Sequence, residues 1–119
     1  VELPETYDIL GHIIYPLRYM PQEISLDPWW DSIDTVLRRV VETGRGIELN
    51  TYCGKTVEPW RPILERYRAL GGELITVGSD AHAPRNVARG IRDAYALIAE
   101  AGFRYVAVYA RRKPAFIPL

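Results

Sequence analysis

Cysteine is almost missing from this sequence, with Cys53 the only one among 119 residues. A single thiol excludes an internal disulfide framework and fits a reducing compartment, so a cytoplasmic setting is expected. Net charge is missing too. Fifteen basic residues balance fifteen acidic ones, which removes any bulk electrostatic case for nucleic acid or an anionic membrane surface. No apolar run approaches the ~18 residues needed to cross a bilayer. The opening VELPETYDILGH has neither the basic nor the apolar block of a signal peptide. Histidine is scarce, with only His12 and His82. What remains is 48% hydrophobic and 25% charged, an ordinary globular balance, and the length suits one domain or one piece of a larger one.

The apolar pattern alternates between short runs and helical periods. TYDILGHIIY (Thr6–Tyr15) is β-favouring and interrupted by Gly11-His12, which predicts a buried strand running into a loop. The proline-rich PLRYMPQEISLDP follows as that loop. From Trp29 to Val41, Trp30, Ile33, Val36, Leu37, Val40 and Val41 fall at helical spacing, opened by Asp27-Pro28 and closed by Gly44. GIELN (Gly46–Asn50) predicts a second strand and TYCGKTVEPW a loop. Ile63, Leu64, Tyr67 and Leu70 predict a helix over Pro62–Leu70, ended by Gly71-Gly72. ELITV (Glu73–Val77) predicts a third strand, and a helix opened by Pro84 then carries Val87, Ile91, Ala94, Tyr95 and Ile98 as far as Gly102. FRYVAVY (Phe103–Tyr109) predicts a fourth strand, and RRKPAFIPL reads as a basic, proline-broken tail. Strands alternating with helices indicate βαβ units and a parallel sheet. Three helices are thin cover for a free two-faced sheet, so the expected α/β architecture is an arc of a parallel (β/α) barrel with two raw strand edges.

In such proteins chemistry sits beyond the carboxyl ends of the strands. Strand one delivers His12 there, strand two Asn50 with Glu48 two positions earlier, and strand three Ser79, Asp80 and His82. Both histidines therefore share one rim with an aspartate. Asp80 and His82 are one residue apart, and in extended backbone such side chains point the same way. Imidazoles with a carboxylate and no thiolate suit Zn, Mn or Fe in a hydrolytic site, where the ion brings the pKa of bound water towards ~7. Gly78 lets backbone approach a bound group, and amides at the helix opening near Pro84 offer a phosphate dock. Arg18 is a second anion clamp or a surface charge. Plainer readings stand beside these: Asp80 as a helix cap, His12 as an ordinary hydrogen-bonded histidine, Glu48 as an interior ion-pair partner, Asn50 as a strand terminator. Cys53 reads as a bystander, and Trp29, Trp30 and Trp60 as packing residues.

The blocks YDILGHIIYPLRY, GIELNT, GGELITVGSDAH, RGIRDAYALIAEAGF and RKPAFIPL, in this order and spacing, resemble the C-terminal portion of the PHP-family histidinol-phosphatases. Gly-Ser-Asp-Ala-His by itself indicates the wider PHP phosphoesterase superfamily. The resemblance implies that residues 1–119 are the C-terminal part of a distorted (β/α)7 barrel with two or three divalent metal ions. The implied reaction is hydrolysis of L-histidinol phosphate, a small phosphorylated substrate, in histidine biosynthesis. By position, His12, Asp80 and His82 match metal ligands, Asp80 also matches a group handling a proton of the attacking water, and Arg18 matches a substrate-contacting arginine. The family's opening His-x-His, a further acidic ligand and another histidine belong to an N-terminal half outside these residues. Three ligands do not close a multinuclear site, and TYCGKTVEPW departs from the Thr-Ser-Gly type of loop. The isolated chain is accordingly expected to be inactive or nearly so, with a missing N-terminal half or a second chain completing the barrel. The rivals are a phosphoesterase acting on another phosphate ester or nucleotide, and a non-catalytic α/β module.

Overall fold

A computed structural model describes residues 6–20 and 24–119. The reading of the opening as free of a signal segment, and of residues 21–23 as loop, lies outside the described residues. Among the described residues no helix is long and apolar enough to cross a membrane. The elements follow as β1 (Ile9–Leu10), α1 (Trp30–Glu42), β2 (Gly46–Asn50), α2 (Arg61–Ala69), β3 (Ile75–Gly78), α3 (Ile91–Glu100), β4 (Tyr105–Ala110) and β5 (Lys113–Pro118). Strands β1, β2 and β3 form a parallel sheet in that order. Its register pairs Ile9 with Gly46, Ile47 with Ile75 and Asn50 with Gly78. The α/β class with a parallel sheet is as the pattern predicts.

The core lies where helices cover that sheet. Leu37 and Val40 of α1, Ile63, Leu64 and Tyr67 of α2, and Ala94, Leu97 and Ile98 of α3 are buried with Ile47, Leu49 and Ile75. Burying a side chain of this size contributes about 1.5–3 kcal/mol. Strand alternation sends Ile47 and Leu49 to one face and Glu48 and Asn50 to the other. Tyr67 is fully buried and donates its hydroxyl hydrogen to the Leu74 carbonyl at 3.2 Å. Burial pushes that hydroxyl's pKa up to about 12.

Helices α1 and α2 are also tied by a bidentate pair, with Arg66 donating to both carboxylate oxygens of Asp34 at 2.7 Å. The same guanidinium lies 4.4 Å from the Trp30 ring centre. Its hydrogen bonds hold the Asp34 carboxyl below the ordinary carboxylate range. A depressed pKa contributes stability above the unfolded-state value, about pH 4, and that contribution is lost as pH falls through the folded value. Asp34→Asn is therefore expected to flatten the acid limb of the urea midpoint against pH below about 4 while leaving its shape at pH 6–8 unchanged. An acid limb identical to wild type would show that the pair is energetically silent.

Four expectations are corrected. The first strand is only two residues long, because His12 takes a left-handed φ of 59° and the chain turns, Tyr15 N–H donating to the His12 carbonyl at 2.9 Å. Ile14 enters the core from that turn instead of from a strand. The second correction concerns Pro84, which opens a three-residue 3-10 turn, Pro84–Asn86; the helix starts at Ile91 after Gly90. Gly90 has φ 75° and a Cβ there would meet the Gly54 Cα at 2.6 Å, so no other residue can make this turn. The phosphate dock expected from a helix opening at Pro84 is thereby removed. Third, Trp29 is 45% exposed and is not a packing residue.

The last correction is to the C-terminus. The fourth strand does not extend the parallel ladder. β4 pairs antiparallel with β5, so the supposed tail is a strand. Leu119 N–H donates to the Arg104 carbonyl at 3.0 Å, which makes those two a bonded pair. Counting inward, Pro114 and Pro118 fall at the alternate positions whose N–H would face away from β4, so neither costs a ladder bond. The hairpin turns through Arg111 (φ 49°) and Arg112 (φ 64°), both left-handed, as a two-residue connection of this hand requires. Arg112 grips the Asp8 carboxylate at 3.0 Å, placing the hairpin tip at the start of β1, away from His12. Since Arg111 tolerates this φ poorly, Arg111→Asn should stabilise the chain by about 0.5–1 kcal/mol, read as a raised thermal midpoint. A lowered midpoint would refute that reading of the turn.

Candidate functional site

The carboxyl ends of β1, β2 and β3 carry three loops that meet around one guanidinium. Arg18 leaves β1 through a 3-10 turn, Tyr15–Arg18, and its side chain is only 7% exposed. Its Nη1 lies 2.7 Å from Asp80 Oδ2 in the loop after β3. Nη2 donates to Asn50 Oδ1 at 2.8 Å and lies 3.4 Å from His12 Nδ1. The guanidinium also sits 4.2 Å from the Tyr52 ring centre and 4.9 Å from that of Tyr15. A buried cation needs such compensation, and here a carboxylate, an amide oxygen and two aromatic faces provide it.

The loops are pinned from below. Thr51 N–H donates to the Gly78 carbonyl and Cys53 N–H to the Ser79 carbonyl, both at 2.8 Å, extending the β2–β3 ladder beyond the strands. Cys53 Sγ lies 3.6 Å from the Asp80 carbonyl, so its thiol packs against the Asp80 loop. Trp60 is completely buried and its indole N–H donates to the Asn50 carbonyl at 3.0 Å. Held this way, four non-glycine residues on one rim keep left-handed backbone: His12 (φ 59°), Tyr52 (45°), Cys53 (56°) and Asp80 (54°). Conformations of this kind cost of order 1–3 kcal/mol each and gather at working sites.

His82 is largely exposed, with its side chain at 84%. Its Nδ1 lies 2.9 Å from the Asp80 backbone carbonyl. A carbonyl only accepts, so Nδ1 carries the hydrogen of this bond and Nε2 is the nitrogen left facing outward, the arrangement that a metal-binding imidazole uses. Asp80 Oδ1 lies 3.8 Å from the same ring. Glu48 was left open by sequence reasoning, and the structure gives it a place. Its carboxylate fills the space a Cβ would need at Gly78, and a Cβ at Gly11 would lie 3.1 Å from Glu48 Oε2. Gly78 therefore makes room for Glu48, not for a bound group. Asn50 Nδ2 lies 3.4 Å from that carboxylate.

His12, Asp80, His82 and Arg18 thus share one rim. His12 and Asp80 meet through Arg18, and His82 stands beside Asp80. Among the described residues no three His, Cys, Asp or Glu side chains are grouped so as to hold a metal ion. Sequence reasoning missed Tyr52 as the lid on Arg18. Nothing marks an aromatic in an irregular loop, whereas the alternation of Glu48 and Asn50 along β2 was visible.

No family model matches the chain. Over 109 residues it is 30% identical to a protein named probable histidinol-phosphatase from Thermotoga maritima, covering 89% of this chain and 46% of that one. It is 30% identical over 115 residues to the histidinol-phosphatase of Lactococcus lactis, covering 92% and 43%. A crystal structure of the Lactococcus enzyme, complexed with Zn, L-histidinol and phosphate, superposes with a TM-score of 0.82 at 28% identity, over 93% of this chain and 44% of that one. The chain corresponds to the C-terminal portion of the histidinol-phosphatases. It spans less than half the length of these relatives. Within this histidinol-phosphatase-like portion, the rim built from His12, Arg18, Asn50, Asp80 and His82 is the chemically equipped surface.

Proposed function

We propose that the chain, residues 1–119, supplies the C-terminal part of a (β/α)7 barrel whose complete form is a metal-dependent histidinol-phosphatase. That form hydrolyses L-histidinol phosphate to L-histidinol and phosphate in histidine biosynthesis, in the reducing, cytoplasmic setting that a lone Cys53 fits. The observation that carries this reading is the convergence of His12, Asp80 and Asn50 lone pairs at one rim, beside a largely exposed His82.

The residues present fit a divalent cation in kind. Two imidazoles and a carboxylate are the donor set for Zn, Mn or Fe, and a second carboxylate, Glu48, is cradled just beneath. His12, Asp80 and His82 are the proposed ligands, part of a site for two or three ions. A divalent ion held there supplies hydroxide at neutral pH and Lewis-acid stabilisation of phosphoryl oxygens. Asp80 accepts a proton of the attacking water through its second carboxylate oxygen. Arg18 offers the planar donor pair that suits a phosphate monoester. The remaining ligands come from an N-terminal half outside these residues or from a second chain. The short edge strand β1 and the exposed Tyr105, Val108, Phe116, Ile117 and Leu119 of the hairpin leave surface for that remainder.

The decisive experiment is to co-express the chain with the portion of the Lactococcus enzyme that it does not cover. Bound Zn, Mn and Fe are then measured by mass spectrometry, and phosphate release from L-histidinol phosphate is compared with release from a generic phosphate ester. Metal content is expected to fall in His12→Ala and His82→Ala, with release specific to histidinol phosphate. The 119-residue chain alone is expected to release phosphate at background. Metal content indifferent to both histidines would leave only a non-catalytic α/β module, and equal turnover of both esters would move the substrate elsewhere in the superfamily.

A further inference from the structure

The geometry points to Arg18 as an exchangeable counter-ion of Asp80: its guanidinium holds the Asp80 carboxylate until a divalent cation takes that oxygen, and is then released to receive the phosphate. This rests on the proposed function, and it adds a coupling between cation and anion binding that the ligand set alone does not contain.

A guanidinium only donates. Every heteroatom that faces Arg18 must therefore turn a lone pair or negative charge towards it: Asp80 Oδ2 at 2.7 Å, Asn50 Oδ1 at 2.8 Å and His12 Nδ1 at 3.4 Å. These acceptors come from the carboxyl ends of three different strands, and two of them are the residues proposed to bind metal. They are assembled for a cation, and the cation they hold is Arg18. The Asp80 oxygen 2.7 Å from Nη1 has its lone pair on that side committed to Arg18, so a divalent ion approaching from there meets the guanidinium charge and competes with it.

Arg18 does not lose its place when it lets go. The Tyr52 ring at 4.2 Å and the Asn50 amide oxygen form a cradle independent of Asp80. Asn50 is itself fixed, since its Oδ1 also accepts from Tyr52 N–H at 2.9 Å and its carbonyl accepts from Trp60. Freed from Asp80, the guanidinium would have its Nη1 donors unfilled beside the rim, at a position suited to phosphate oxygens. Linkage then requires reciprocity: a cation on Asp80 strengthens phosphate binding at Arg18, and phosphate on Arg18 strengthens cation binding.

The test is calorimetric titration of the 119-residue chain with Zn2+, wild type against Arg18→Met. If Arg18 competes for Asp80, the variant binds Zn2+ about tenfold more tightly or better, since no charged hydrogen bond has to be broken first. A parallel measurement on wild type, independent of whether the variant folds, follows the 15N guanidinium resonance of Arg18. Zn2+ should shift it and speed its hydrogen exchange, and inorganic phosphate added afterwards should slow that exchange again. Equal or weaker Zn2+ binding by Arg18→Met, or an Arg18 resonance unmoved by Zn2+, would mean that the arginine supports the ligands instead of competing for them. No Zn2+ binding in either form, alone or with the Lactococcus portion added, would bring down the metallophosphatase reading itself and this exchange with it.

Discussion

Asp80→Ala is expected to destabilise the chain by about 3 kcal/mol at neutral pH, although Asp80 lies in a loop. Its carboxylate is the one formal negative charge against Arg18, whose side chain is 7% exposed. Removing one member of a buried pair leaves the other charge uncompensated, which costs about 3–5 kcal/mol, and the surviving Asn50 and Tyr52 contacts place this case at the low end. Loops usually tolerate such truncation within ±0.5 kcal/mol, so the size of the effect separates the two views. A double-mutant cycle with Arg18→Met, followed by urea unfolding, supplies the control. The double variant should be less destabilised than the sum of the singles, because it leaves no stranded guanidinium. Within the assembled enzyme the same substitution removes a proposed ligand and proton acceptor, and phosphate release should fall by at least about a hundredfold. An Asp80→Ala chain as stable as wild type would show that Arg18 has other compensation and that the rim is not organised around this pair.

Trp60→Ala is expected to cost about 4 kcal/mol, enough to leave much of the population unfolded if the chain is as marginal as domains of this size usually are. The ring is wholly buried at the end of the 3-10 turn Glu58–Trp60 that leads into α2. Truncation opens a cavity that the neighbours cannot fill, and the Asn50 carbonyl loses its 3.0 Å donor. Trp60→Phe separates the two contributions, since it keeps most of the apolar volume and deletes only the N–H. It should cost about 1–2 kcal/mol. Because the lost bond anchors Asn50, Trp60→Phe should also weaken phosphate binding at Arg18, whereas a purely apolar role for Trp60 would leave that affinity unchanged. Guanidinium and thermal unfolding read the first effect and calorimetry reads the second.

Sequence patterning found most of the scaffold for a simple reason. The helices α1, α2 and α3 carry apolar residues at a period set by local geometry, and β2 and β3 are short β-favouring runs bounded by glycine, so neighbours along the chain suffice to define them. The misreadings share the opposite cause. Whether Pro114 and Pro118 break a strand depends on which partner they face, and that partner lies across the hairpin. Whether Pro84 opens a helix depended on Gly90, which must pack against Gly54 from another loop.

By itself the sequence determined the α/β alternation, the parallel run of the first three strands and the rim on which His12, Asp80 and His82 emerge, because side-chain periodicity and the βαβ alternation are properties of short stretches of chain. Only the tertiary structure decided what those residues touch: a guanidinium gripped by Asp80 and Asn50, Tyr52 laid over it, Glu48 seated between Gly11 and Gly78, and a hairpin where a tail was expected. Partners separated by tens of residues are chosen by the need to compensate buried charge and to pair backbone across strands. No local pattern encodes that need.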